Sequence, residues 1–189
     1  MTAAQGRPGF AVWLTGLPAS GKSSLAQEMQ RLLAQRGVVA LILDSDVLRG
    51  VLTPHPSYTE SEREWFYGVI AFLAVWVTRG GVNVLIAATA HRRAYRDRTR
   101  AQIERFAEVY VCCPLDICQK RDPKGIYTLA RTGRAATVPG VGVAYERPLA
   151  SEAVVDTGRL APAEAAVSVL EQLHTLLQAS KGDEYVVHQ

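Results

Sequence analysis

The stretch "FAVWLTGLPASGKSSLAQEMQRLLAQRG" (10–37) limits the possible folds more than any other part of this chain. It opens on an unbroken apolar run, the mark of a strand buried on both faces of a parallel sheet. Gly16-x-x-x-x-Gly21-Lys22-Ser23 follows directly. A helical pattern then begins, with Leu25, Met29, Leu32 and Leu33 at helical spacing and Gly37 where a C-terminal cap belongs. A glycine-rich turn between a buried strand and a helix N-terminus gathers backbone N–H groups around one oxyanion, and the helix end adds partial positive charge. The fold must therefore present this turn at the carboxyl edge of a parallel sheet.

The rest of the chain repeats the alternation. Apolar runs at 38–44, 82–89 and 107–114, and a shorter one at 152–157, read as further buried strands. Between them lie a long helix within 57–81 that begins with polar caps and closes on glycine, and a basic, exposed helix over 92–106. An amphipathic helix over 161–180 has Pro162 near its start. This is the α/β class, a three-layer sandwich around a central parallel sheet of about five strands. The 189 residues fit one domain, with loose ends expected over 1–8 and 180–189. In such sheets ligands bind beyond the carboxyl ends of the strands. The chemistry is therefore expected at Gly16–Ser24, Asp44–Arg49, Thr89–Arg93 and after Pro114.

Composition narrows the function classes. A hydrophobic fraction of 48% with 21% charged residues supports a packed core, and a net charge of +3 is too small to indicate a nucleic-acid partner. Cys112, Cys113 and Cys118 match no zinc spacing and make a poor disulfide framework, so reduced thiols beside a strand are expected. The N-terminal "MTAAQGRPGF" lacks the apolar core of a secretory signal, and no apolar run reaches the ~20 residues of a membrane span. A cytoplasmic location is the expectation.

The loop residues divide the work of holding a nucleotide. The backbone of Gly16, Ala19, Ser20 and Gly21 lines the cradle, and Ser23 and Ser24 open the helix. Lys22 can bridge the β- and γ-phosphates of ATP, and the Ser23 hydroxyl can ligate Mg²⁺. A turn of this kind serves kinases, hydrolases and motors alike. A small kinase is favoured by the short chain, by "DSDVLR" after the second strand, and by the basic stretch "KRDPKGIYTLARTGR" (120–134), which can close over ATP and exclude water. Asp44 is placed to accept a proton from an attacking hydroxyl, while Asp46 is either an active-site carboxylate or the cap of the next helix. Arg49 and Arg63 suit an anionic acceptor, because a guanidinium pairs two oxygens at once.

Taken together, "GLPASGKSS", "LDSDVLRGVL", "YTESER", "EVYVCCPLDICQKRDPKGIYTLARTG", "YERP" and "VVDTG" resemble the adenylylsulfate (APS) kinases, a family of P-loop kinases, in order and spacing from about Phe10 to about Leu177. The resemblance implies a P-loop NTPase-type fold and transfer of the ATP γ-phosphate to the 3′-hydroxyl of adenosine 5′-phosphosulfate, giving PAPS, with Mg²⁺ and commonly as a homodimer. It implies ATP contacts from Gly21, Lys22, Ser23 and Ser24, with Arg121 and Arg131 flanking the nucleotide and Asp44 as the catalytic aspartate. Arg49 and Arg63 match the arginines that hold the acceptor, Tyr58 replaces a phenylalanine that stacks on its adenine, and Lys124 matches the lysine of the lid.

The chain also departs from the family pattern. Phe66 stands at an acceptor-binding asparagine, Gly68 at an arginine, Ala90 and His91 in place of the usual strand-end residues, Val138 at the second stacking phenylalanine and Gly142 at an aspartate. These changes are expected to cluster on the acceptor side and leave the ATP side intact. Trp65, Phe66 and Tyr67 are either a repacked pocket or simply core. Two alternatives therefore stand beside APS kinase: a kinase of the same fold for another nucleotide or small-metabolite hydroxyl, and a non-catalytic ATP-binding module.

Overall fold

The computed structural model describes residues 7–178. Five strands form one parallel sheet: β1 (Ala11–Thr15), β2 (Ala40–Asp44), β3 (Asn83–Ala87), β4 (Phe106–Cys112) and β5 (Ala153–Asp156). Their order is β2-β3-β1-β4-β5, and every pairing is parallel. The turn after β1 thus leaves the middle of the sheet, with strands on either side to wall it in.

Alternation along β1 divides the core into two layers. Val12 and Leu14 join Leu25, Met29 and Leu33 of α1 (Lys22–Gln35) and Val169 and Leu170 of α7 (Pro162–Gln172) on one face. Ala11 and Trp13 join Phe66, Ile70 and Ala74 of α3 (Glu60–Arg79) and Tyr95 of α4 (Arg93–Arg100) on the other. The remaining elements are α2 (Ser45–Leu52), α5 (Leu115–Arg121), α6 (Ile126–Arg131) and α8 (His174–Gln178). The last-helix pattern is divided at Leu173 between α7 and α8. Gly37, at φ 73, closes α1 with bonds from its own N–H to Ala34 and from Val38 N–H to Leu33.

Two sequence expectations change. The 38–44 run is not buried throughout: β2 is an edge strand in which Ala40 is buried, Leu41 is exposed, and Ile42, Leu43 and Asp44 are half-buried. An edge strand lacks the second neighbour that would cover it. The basic helix near 92–106 is shorter, and it is not wholly exposed. Arg96 lies buried against the Glu108 carboxylate of β4 and also donates to the carbonyls of Ala90 and Glu146. Periodicity sees only the charge of Arg96, whereas burial follows from a partner on a distant strand. Cys112, Cys113 and Cys118 are free thiols at the end of β4 and on α5, as expected. The tail beyond Gln178 and residues 1–6 lie outside the described residues.

Candidate active site

The loop after β1 is built for close approach. A Cβ on Gly16 would lie 2.4 Å from the Val111 carbonyl, and Gly21 caps α1 at φ 90. Ala19 adopts φ 58, an uncommon left-handed conformation for a residue with a side chain. Ser20 Oγ is buried without a hydrogen-bond partner, and the Ser20 carbonyl accepts from Thr157 at 2.7 Å. Tyr127 donates to the Pro18 carbonyl at 3.0 Å, fixing the loop from the lid side.

Lys22 Nζ folds back to donate to the carbonyls of Leu17 (2.8 Å) and Gly16 (3.2 Å). Burial lowers its pKa to about 8, opposed by the carboxylates of Asp46 and Asp44. Ser23 and Ser24 begin α1, half-buried and exposed respectively. Arg121 runs beside this helix start and donates to the Thr157 carbonyl at 2.6 Å. Arg131 does not join it: exposed on α6, it donates to Thr128 at 3.2 Å.

The end of β2 reverses one expectation about the two aspartates. The capping residue of α2 is Asp44, whose Oδ1 accepts from the Asp46 N–H at 2.8 Å. Asp46 lies in the first turn of α2 and forms an ion pair with Lys124 of the lid segment. The lid is shaped by Asp122, which accepts from the N–H groups of Tyr127 (3.2 Å) and Thr128 (3.0 Å) and from the Thr128 hydroxyl (3.0 Å).

Beyond α2 stands a wall of cations and rings. Arg49 donates to Glu62 at 2.8 Å, and its guanidinium lies 3.9 Å from the Phe66 ring centre and 4.8 Å from that of Tyr58. Burial raises the Glu62 pKa, but hydrogen bonds from Ser57 and the Arg49 charge outweigh it and hold the carboxyl below its usual range. Arg63, buried, donates to the Tyr58 carbonyl (3.0 Å) and the Thr137 carbonyl (2.7 Å), so it ties two chain segments together. Tyr58 itself is at φ 53 with its ring partly exposed.

The positions of altered sequence divide into three groups. Phe66 and Tyr67 are core residues, but Phe66 also forms the floor under Arg49. Tyr67 stacks on Tyr95 at 4.7 Å, and its hydroxyl accepts from the Ala90 N–H at 3.1 Å. His91 lies edge-on to Tyr95 with Nδ1 buried and unpartnered, and burial lowers its pKa. Val138 packs with Cys113, Cys118 and Tyr127 beneath the lid, adjoining the Thr137 that holds Arg63. Gly142 sits in a turn where a Cβ would lie 1.7 Å from the Ala136 carbonyl oxygen, which leaves no room for an aspartate. Gly68 and Trp65 do not belong to the acceptor side. Both face outward from α3 and line a surface groove with Ser61, Glu64, Val69, Phe72 and Arg98. A helix shows its residues on all sides, so neighbours in sequence part company.

Sequence reasoning overlooked Glu62, Thr137 and Thr157. Glu62 carries a readable signal, since Thr59-x-x-Glu62 is a capping-box pattern and the Glu62 N–H donates to Thr59 Oγ1 at 3.3 Å. Its carboxylate, however, turns to Ser57 and Arg49. Thr137 acts mainly through its backbone carbonyl, which any residue supplies, whereas the Thr157 hydroxyl donates to the carbonyls of Ser20 and Cys112, a contact between segments far apart in sequence. Among the described residues no cluster of three or more His, Cys, Asp or Glu could hold a metal ion, and no helix is long and apolar enough to cross a membrane.

Comparison with known proteins gives the family of this chain. The family model described as adenylylsulphate kinase matches residues 8–156. A probable adenylyl-sulfate kinase of Pyrococcus abyssi is 35% identical over 168 residues, covering 89% of this chain and 97% of its own. An adenylyl-sulfate kinase of Geotalea uraniireducens is 38% identical over 161 residues, covering 84% of this chain and 77% of its own. The solved structure of the Mycobacterium tuberculosis APS kinase CysC in complex with AMPPNP and APS superposes with a TM-score of 0.82 at 31% identity, covering 88% of this chain and 98% of that one. With the phosphate cradle, the two aspartates after β2 and the lid all at one edge of the sheet, this chain belongs to the adenylylsulfate kinase family.

Proposed function

We propose that residues 1–189 make one kinase domain that transfers the γ-phosphate of ATP to the 3′-hydroxyl of adenosine 5′-phosphosulfate, in the cytoplasm and as a homodimer. The observation that carries this reading is the convergence of Lys22, Asp44 and the Lys124 lid contact at one end of the sheet. The cradle fits a phosphate chain: Gly16 and Gly21 leave the backbone open, and the buried Ser20 hydroxyl has no partner in the protein. Ser23 is the residue that would hold Mg²⁺, which bound with ATP neutralises charge on the β- and γ-phosphates.

In this mechanism Lys22 exchanges the carbonyls of Leu17 and Gly16 for phosphate oxygens and stabilises the charge that moves with the phosphoryl group. Asp44 accepts the proton of the 3′-hydroxyl as the new O–P bond forms and the bond to the β-phosphate oxygen breaks, releasing ADP. Asp46 holds Lys124, which draws the lid across the site and keeps water from competing. Arg121 flanks the nucleotide; Arg131 would reach it only if α6 moves. On the acceptor side Tyr58 offers a ring for the adenine, Arg49 and Arg63 supply positive charge, and Val138 backs the segment opposite.

One observation favours a second reading, a kinase of this family for another hydroxyl acceptor. Arg49 is already neutralised by Glu62, and Arg63 is engaged by two carbonyls, so less charge is free for a phosphosulfate. Coupled measurement of ADP release with Mg·ATP alone, with APS, and with a panel of nucleotides decides between them. Saturable PAPS formation supports the first reading. ADP release stimulated only by another acceptor replaces it with the second, and ATP binding without any stimulated release returns the non-catalytic module.

A further inference from the structure

Two buried polar groups near the carboxyl end of β3 keep hydrogen-bonding capacity that the protein does not use. Tyr67 and His91 are 5% and 4% exposed. The Tyr67 hydroxyl accepts from the Ala90 N–H at 3.1 Å, and among the described residues its own hydrogen finds no acceptor. His91 Nδ1 has no partner. Folded proteins satisfy the great majority of such atoms, because an unpaired buried one is destabilising. The frame around these two is fixed. The Tyr67 ring stacks on Tyr95 at 4.7 Å, the His91 ring lies edge-on to the same Tyr95 at 5.7 Å, and Tyr95 donates to Glu60 at 2.6 Å. Ala90, which joins the two groups, is held at φ 39, a strained conformation for a residue with a side chain. Its N–H is taken by Tyr67 and its carbonyl by Arg96, and the His91 carbonyl accepts the Glu146 N–H at 2.8 Å. The backbone is paired and held under strain, and the Tyr67 O–H and His91 Nδ1 remain unspent.

The surroundings give the chemistry of what would pair them. The charges acting on the Tyr67 phenol are those of Arg49, Arg63 and Asp46, and Arg63 leads those acting on His91, before Glu60, Arg92 and Glu146. Burial raises the Tyr67 pKa and lowers that of His91, so at neutral pH the phenol keeps its proton and the imidazole is uncharged. Both can then donate, the phenol through O–H and the imidazole through Nδ1–H in one of its two tautomers. Phe66, next to Tyr67, lays a ring under Arg49 and offers no hydrogen bond. A pair of donors beside two guanidiniums suits oxygens that carry negative charge.

We infer that Tyr67 and His91 form a hydrogen-bonding subsite for the acceptor, the phenol O–H and the Nδ1–H donating to oxygens of its phosphosulfate group beside Arg49 and Arg63. The inference rests on the APS reading given above and adds two specificity-determining residues to it. Arg49 is shared with Glu62 and Arg63 with two carbonyls, so neutral donors supply recognition that charge alone does not. An acceptor without such oxygens leaves both donors unpaired and is selected against. The clamped 89–91 segment holds the donors in place before the acceptor arrives.

Steady-state PAPS formation by the native chain, Tyr67→Phe and His91→Phe tests this; each variant keeps a ring against Tyr95. The expected result is a rise of about tenfold in KM for APS in each variant, with KM for ATP unchanged. A purely structural role would move KM for ATP as well. A second readout needs no variant: in ¹⁵N-labelled protein with ADP bound, the His91 Nδ1 resonance should move on addition of APS to the position of a protonated, hydrogen-bonded nitrogen. That resonance decides the matter if a variant fails to fold. PAPS formation with KM for APS unchanged in both variants, and an Nδ1 resonance indifferent to APS, overturns the subsite and leaves the APS reading standing. A native chain that binds Mg·ATP but forms no PAPS overturns that reading and the subsite with it.

Discussion

Arg49 and Glu62 are joined at 2.8 Å across the gap between α2 and α3, and the guanidinium carbon lies over the Phe66 ring, 3.9 Å from its centre. The pair is largely buried and holds the turn through Ser57 as well, so it sets the spacing of the acceptor wall. Removing one partner leaves an uncompensated charge beside an aromatic floor. Arg49→Ala and Glu62→Ala are each expected to destabilise by about 1–3 kcal/mol, with the double variant costing clearly less than the sum. Urea titrations of the four proteins check the coupling. Initial rates add a functional arm: Arg49→Ala should raise KM for the acceptor and leave KM for ATP unchanged.

Lys22 gives a prediction about pH. Its pKa in the free protein, about 8, lies below the ordinary 10.5 because burial disfavours the charged form. Between those values the unfolded chain binds more protons than the folded one, so this residue makes stability rise with pH across that window and works against the fold at neutral pH. The shift corresponds to about 3 kcal/mol at pH 7. Lys22→Met should therefore raise the Tm of the ligand-free protein at pH 7 while abolishing transfer. ATP needs the charged amine, so its binding takes up a proton above pH 8, and affinity should fall with pH there. Calorimetry in buffers of different ionisation enthalpy measures that proton directly; no uptake at pH 8.5 would contradict the role given to Lys22.

Lys124 and Asp46 meet at the surface, each about half exposed, where an ion pair contributes ~0–1 kcal/mol. Their importance is expected in closure. Lys124→Ala should leave the unfolding midpoint nearly unchanged, lower the transfer rate tenfold or more, and raise the ratio of ATP hydrolysis to transfer. A variant that loses stability but keeps that ratio would show the contact to be structural.

Much of this architecture is legible in the sequence because the information is local. The Gly16–Ser23 turn follows a strand whose burial pattern is uninterrupted, and Leu25, Met29 and Leu33 point one way from α1 to meet Val12 and Leu14. The acceptor wall is less legible because it depends on pairs far apart in the chain. Arg96 reads as one more exposed cation until Glu108 is brought beside it by the β1–β4 pairing. Trp65, Phe66 and Tyr67 look alike as a run, yet one turn of helix sends Trp65 to solvent and its neighbours to the core. Gly68 and Gly142 both replace longer family residues for unrelated reasons: one opens a groove and the other permits a tight turn.

Gly142 makes that difference measurable. The 1.7 Å approach of a built Cβ to the Ala136 oxygen involves backbone, which cannot rotate away as a side chain would. Gly142→Ala should cost about 1–3 kcal/mol or more and loosen the 136–143 turn that carries Val138 and neighbours the Thr137–Arg63 contact. The reading is the urea midpoint together with KM for the acceptor, and both should worsen. An unchanged midpoint would mean that the turn relaxes freely.

Asp44 serves two purposes that substitution can separate. As the N-cap of α2 it accepts the Asp46 N–H at 2.8 Å, and asparagine caps a helix as well as aspartate does. As the proton acceptor of the transfer step it needs a carboxylate, which asparagine lacks. Asp44→Asn should therefore keep the fold and the ATP affinity within about twofold while reducing kcat by a hundredfold or more. Asp44→Ala removes both functions and should in addition cost ~1 kcal/mol of stability from the lost cap. Single-turnover rates and equilibrium unfolding of the two variants make the comparison. If asparagine and alanine lower kcat equally little while only alanine destabilises, Asp44 is a capping residue alone and the base must be sought at Asp46.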